Sequence, residues 1–269
     1  MNTEQYLAMR ETAFVNDAIT TYPANAHDLN GNWSRNRYTD WQQEMIGGTA
    51  KLTNAAVNIN SSNVRTQFTL NGTYRNESTV YPGDSKNIQY GGQARISSES
   101  QNGRFKISFS SLASTMDLNV PIQDLTSNIL LAPNAPALYN PDGTLNWENS
   151  TWANPIRPIY RTSETLTKNL NNDLNASFQV IDGLILNTRA GYNNSRSTAR
   201  NLETAKGANP INPVNPSVRR HLHGELISRS WTFEPMLQYD KIFAKNSLNL
   251  LLGTTFQEQT GSTVPLNLG

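Results

Sequence analysis

Few side chains in this 269-residue sequence have the types and spacing that chemistry requires. His221-Leu222-His223 would put two imidazoles on one face of an extended segment, an arrangement able to ligate a metal. The sequence places no carboxylate or third histidine beside them, and ordinary loop histidines are the competing reading. Asp40 and Glu44 could act as a carboxylate pair in acid–base work, or stand as solvated loop charges. Trp147, Trp152 and Tyr160 are apolar platforms with polar tips that could stack on sugar rings as substrate-binding residues. The same three rings could instead pack a loop against its neighbours. Cysteine is absent, so there is neither a disulfide framework nor thiolate chemistry. No Ser-His-Asp order, glycine-rich phosphate loop or zinc spacing is present. An enzyme is not expected, nor a cofactor, nor a metal.

The elements that would position these groups read as strands. Over residues 64–75, Val64, Thr66, Phe68, Leu70, Gly72 and Tyr74 alternate with Arg65, Gln67, Thr69, Asn71, Thr73 and Arg75. Successive side chains of an extended chain point to opposite faces, so one face is apolar and the other polar. The stretch is about twice the usual ~5–6 residues of a globular strand. Similar alternation marks residues 54–60, 88–98, 104–111, 166–180, 184–193, 231–239 and 247–257, about eight strands in all. Asn102-Gly103 and Asp182-Gly183 are hairpin signals. Short turns alternate with long connections, of which 116–164 holds the tryptophans and 194–226 the histidines. A short helix is expected over 3–18, with Thr3 as its N-cap. Pro235 interrupts a strand on its apolar face and predicts a bulge or an upper edge.

Composition narrows the class. Hydrophobic residues are 36% and charged residues 16% of the chain, against ~45–50% and ~25% in ordinary soluble domains. A net charge of +1 gives no field for nucleic acid. No apolar run approaches the ~18 residues of a membrane helix, which says nothing against a barrel. The start has no basic or apolar leader, so a signal peptide, if there is one, is expected elsewhere.

Alternation alone fits a soluble sandwich or a barrel wall. The short–long order of connections, the long strands and the confinement of strand charges (Arg65, Arg95, Lys106, Asp173, Arg189) to the polar face favour the wall. Tyr74, Tyr90, Tyr192, Trp231, Tyr239 and Phe243 are expected near strand ends as interfacial girdles.

Tyr38-Thr39-Asp40-Trp41-Gln42, after a helix carrying Gln5-Tyr6-Leu7-Ala8-Met9-Arg10, resembles the early barrel of SusC/RagA-type TonB-linked (TonB-dependent) outer-membrane transporters. Ser61-Ser62-Asn63-Val64-Arg65 sits where that family has a short turn ahead of an arginine. The run from Phe233 through Pro235 and Tyr239 to Phe243 is similar to its F-E-P-x-L-x-Y-x-K-x-F strand. Asn246 stands where a histidine is common, and the plug, TonB box and later strands have no counterpart here. The resemblance implies an all-β antiparallel meander forming part of a transmembrane barrel, with residues 1–50 as a helix-bearing loop and 51–269 as barrel. It implies the outer membrane of a Bacteroidetes-type Gram-negative cell, and import of oligosaccharides or peptides. Its partners would be outer-membrane lipid, the TonB complex and a SusD-like surface lipoprotein. The competing expectation is a soluble secreted β-rich carbohydrate-binding or adhesin domain.

Overall fold

The computed structural model describes residues 1–210, 221–244 and 246–268, apart from the side chains of His221 and residues 266–268. Among these residues nine antiparallel strands form one sheet. They are β1 (Leu52–Ser62), β2 (Thr66–Ser78), β3 (Lys86–Glu99), β4 (Phe105–Pro121), β5 (Arg161–Ile181), β6 (Leu184–Glu203), β7 (His221–Phe243), β8 (Asn246–Gly253) and β9 (Phe256–Leu268). Neighbours in sequence are neighbours in the sheet from β1 to β8, and β9 also pairs with β7. The helices α1 (Thr3–Asn16) and α2 (Trp41–Ile46) precede the sheet. Among the described residues no helix is long and apolar enough to cross a membrane.

The tight turns sit at one end of the sheet. Asn63 Oδ1 accepts from the backbone N–H groups of Arg65 (2.9 Å) and Thr66 (2.7 Å), closing the β1–β2 turn. Gly103 and Gly183 take φ of +69° and +85° in the β3–β4 and β5–β6 turns, a region that costs glycine nothing and other residues strain. A Cβ at Gly183 would also lie 2.3 Å from the carbonyl oxygen of Asp240. The long connections, and the segment before β1, gather at the other end.

Cross-strand register makes the two faces continuous across the sheet. Phe68, Ile96, Phe109, Leu174, Ala190, Phe233 and Phe256 are successive partners from β2 to β9. One residue away, on the opposite face, run Thr69, Arg95, Ser110, Asp173, Gly191, Thr232 and Gln257. Neither face is covered: no described strand residue is buried, and Phe68, Phe109 and Phe233 are 37%, 39% and 40% exposed. This is a single layer, without the facing sheet that a sandwich core requires.

Two aromatic pairs on the apolar face define a slanted line. Tyr74 and Tyr90 are partners on β2 and β3, their rings 5.4 Å apart. Tyr192 and Trp231 are partners on β6 and β7. Followed strand by strand, the row through Tyr90 meets β7 at Ile227, four residues from Trp231. The line thus falls ~13 Å toward the turn end over ~19 Å of sheet, a slope of ~35° at ~3.3 Å per residue and ~4.8 Å per strand.

Several expectations need correction. The strands extend well into both long connections: β4 continues to Pro121, β5 begins at Arg161, β6 continues to Glu203 and β7 begins at His221. Their loop-side halves carry polar residues on both faces, so backbone pairing persists where hydrophobic alternation has ended. Tyr192 and Trp231 therefore lie within strands rather than near their ends. Pro235 makes neither a bulge nor an edge. Met236 faces Gly253 and Phe233 faces Phe256, so the register passes through unchanged, and β8 and β9 follow one line separated only at Thr254 and Thr255. Proline has no N–H to donate there, while its carbonyl still accepts from Thr254 at 3.2 Å. The N-cap of α1 is Asn2, not Thr3; Asn2 and Gln5 exchange side-chain to backbone bonds as a capping box.

Candidate functional site

Among the described residues, the hydrophobic core lies at the loop end. Trp41 and Met45 of α2 pack with Leu125, Ala135, Leu138, Leu145, Trp147, Trp152 and Ile156 from the β4–β5 connection. Trp33 and Tyr81 border this cluster from the N-terminal segment and the β2–β3 connection. The helix α2 forms because Asp40 caps it, its Oδ1 accepting from Gln43 N–H at 3.1 Å. Met45, fully buried, anchors its other side. Asp40 is therefore a capping residue, and a role in acid–base work beside Glu44 is set aside.

Three tryptophans of this cap satisfy their indole N–H groups within it. Trp41 Nε1 donates to Ala132 O (2.7 Å), Trp152 Nε1 to Asn146 O (3.1 Å) and Trp33 Nε1 to Thr151 Oγ1 (3.1 Å). The Trp152 ring lies 6.0 Å from Trp41 and 6.3 Å from Trp33, tilted in one case and edge-on in the other. Arg157 sits over Trp147 at 6.0 Å and also binds Glu203 at 2.8 Å, tying the connection to the end of β6. Buried Asn154 donates to the carbonyls of Leu138 (2.7 Å) and Asn146 (2.9 Å), satisfying backbone that no strand reaches.

Trp147 and Trp152 thus spend most of their surface on packing, being only 7% and 8% exposed. Their remaining surface borders a hollow of about 460 Å³ that Arg157 and Asn209 also line. Tyr160 is half-buried beside the cluster. Burial, with help from Tyr160, pushes the Tyr139 hydroxyl up to about 12. Nothing in the sequence pairs Trp33 with Thr151 or Trp41 with Ala132, because these contacts join segments roughly a hundred residues apart.

The histidine pair does not form a described site. The side chain of His221 lies outside the described residues, and His223 stands in β7 opposite Arg200. Among the described residues no group of three potential metal ligands exists.

The polar face of the sheet carries a second hollow of about 460 Å³, running across strands from β2 to β7. Arg65, Glu99, Lys106 and Arg189 line it with Gln67, Asn175 and Asn187. A hollow spanning so many strands fits a face that curves inward. Its amides and hydroxyls offer donors and acceptors together. The architecture is that of a barrel-wall segment: one long-stranded meander, polar inside the curve and apolar outside it, closed at one end by packed loops.

No protein-family model and no curated protein matches the chain. Among solved structures, the chain is similar to "Structure of the RagAB peptide importer in the 'closed-closed' state" at 15% identity and a TM-score of 0.61, over 95% of this chain and 33% of that one. It matches the 'open-open' state of the RagAB peptide importer at 18% identity and a TM-score of 0.60, over 98% and 33%. A third match, "Structure of the RagAB peptide transporter", has 17% identity and a TM-score of 0.55, over 89% and 29%. The chain spans about a third of those chains, and the likeness is one of fold.

Proposed function

We propose that this chain is part of the wall of an outer-membrane importer of the SusC/RagA type. The observation that carries the reading is the uncovered apolar face of a single-layer sheet, from Phe68 on β2 to Phe256 on β9. Water is a poor solvent for such a face, hydrocarbon a good one. The ~35° slope of the aromatic line supports it further, since strands of outer-membrane barrels tilt by ~35–45° and aromatic girdles follow the membrane plane. The concave polar face then borders the lumen, and the packed loops form the mouth on the outer side. The unpaired edges, β1 and β8–β9, must join other strands for a barrel to close, because open edges are not tolerated in lipid.

Work is done by passage through this lumen rather than by catalysis. A peptide or oligosaccharide would meet the amides of the wall, and the hollow beside Trp147, Trp152 and Arg157 would contact it at the mouth. Energy would come through the TonB complex and capture through a surface lipoprotein, as the sequence resemblance implies. A secreted soluble domain is disfavoured by the missing second layer. Membrane fractionation is the test. The protein is expected in the outer-membrane fraction, released only by detergent; release by salt alone, as a soluble monomer that unfolds cooperatively, would overturn the reading.

A further inference from the structure

The apolar face changes character on the loop side of the aromatic line. There β4 to β7 present Asp117, Glu164, Lys168, Arg196, Arg200, Glu225 and Arg229 on the same face as the phenylalanines. Lys168 begins one step above Leu170, and Arg229 one step above Trp231, a step being two residues or ~7 Å of strand. Asp117, Glu164, Leu166, Lys168, Arg196 and Arg200 line a hollow of about 380 Å³.

The charges in this belt do not cancel. Asp117 binds Lys86 at 2.7 Å, and Glu225 binds Arg196. That leaves Lys168, Arg200 and Arg229 without an ion pair among the described residues, against Glu164, which stands opposite Arg200, and Glu258 of β9, diagonal to Arg229. Lys168 and Arg196 are directly opposed across β5 and β6, a like-charge pairing that destabilises a sheet when nothing anionic lies between. Lys168, Arg196, Arg200 and Arg229 are all exposed.

We propose that this belt is a docking site for the phosphate of a membrane lipid headgroup. The inference rests on the reading that the apolar face meets hydrocarbon. The occupant follows from continuity: a ligand seated between Lys168 and Arg200 has Leu170, Tyr192 and Leu174 below it on the same face, an apolar band interrupted by Asn172 and Asn194. A phosphate in the hollow lined by Lys168, Arg196 and Arg200 offsets the repulsion between Lys168 and Arg196 that the Glu225 pair leaves, and acyl chains attached to it lie along Leu170, Tyr192 and Leu174. Arginine gives paired N–H groups to phosphate oxygens and lysine a point charge. A free phosphate would satisfy the cations but make no use of the band.

The test uses the protein extracted from membranes in mild detergent, with retention of dioctanoyl phosphatidic acid and dioctanoylglycerol read by native mass spectrometry. Phosphatidic acid should be retained at least tenfold more tightly. The double variant Lys168→Gln with Arg200→Gln should lose at least fivefold of that preference, while Arg65→Gln, on the opposite face, keeps it. All three side chains are exposed, and unchanged circular dichroism would exclude misfolding. Equal retention of both lipids, or an unaltered double variant, would overturn the site. Inorganic phosphate competing as tightly as the lipid would overturn the lipid occupant. Failure of both lipids to associate would instead count against the hydrocarbon-facing sheet itself.

Discussion

Asp40 illustrates what a single side chain can do here without any catalysis. By capping α2 it holds Trp41 and Met45 in the loop core. Asp40→Ala should cost ~1 kcal/mol of local stability, the usual worth of an N-cap. Faster limited proteolysis between residues 34 and 50 is the measurement, with Glu44→Gln as the unaffected control. Tyr6 makes a second prediction. Burial and then Asp28, which accepts its hydroxyl at 3.0 Å, push its pKa up to about 12. The folded state holds the neutral phenol, so its contribution is complete below the unfolded value of ~10 and is lost as pH rises through about 12. An alkaline near-UV transition in that window is expected, and Tyr6→Phe should remove its contribution. At this scale the sequence told residue types better than partners. Trp147, Trp152 and Tyr160 stand out as aromatics in a polar connection, but Trp33 reaches Thr151 across 118 positions. Only the folded loops bring such pairs together.

Strands are where alternation speaks most directly and where it stops. Phe109 and Ser110 are adjacent on β4 and face opposite sides. If hydrocarbon meets the first, Phe109→Arg should cost ~2–4 kcal/mol in lipid vesicles, while Ser110→Arg should stay within ~0.5 kcal/mol, as surface changes do. Urea titration of vesicle-inserted protein compares them. The turn-side halves of β4 to β7 were legible because apolar residues recur at most second positions. The loop-side halves were not, since Lys168, Arg196 and Glu225 share the face of Leu170 and Phe233 and break the period. Backbone hydrogen bonding does not depend on that period. The helix α2 was equally hidden, six residues being too few to display a periodicity.

For the molecule as a whole, the sheet order was readable from turn chemistry: Asn102-Gly103 and Asp182-Gly183 force neighbours in sequence to be neighbours in space. The location of the core was not, because most large apolar side chains belong to the uncovered sheet face while the buried cluster is assembled from separated loops. The division into a helix-bearing segment of 1–50 and a wall of 51–269 is proposed on the same grounds. One measurement goes straight to the solvent of the apolar face. Of the five tryptophans, Trp231 alone lies on the sheet, with Trp41 in α2 and Trp33, Trp147 and Trp152 in the connecting segments. In vesicles of lipid brominated on the acyl chains near the headgroup, Trp231 fluorescence should be strongly quenched, and Trp231→Phe should abolish the quenched component. Emission from the wild type quenched no more than that of Trp231→Phe would contradict a sheet that faces lipid.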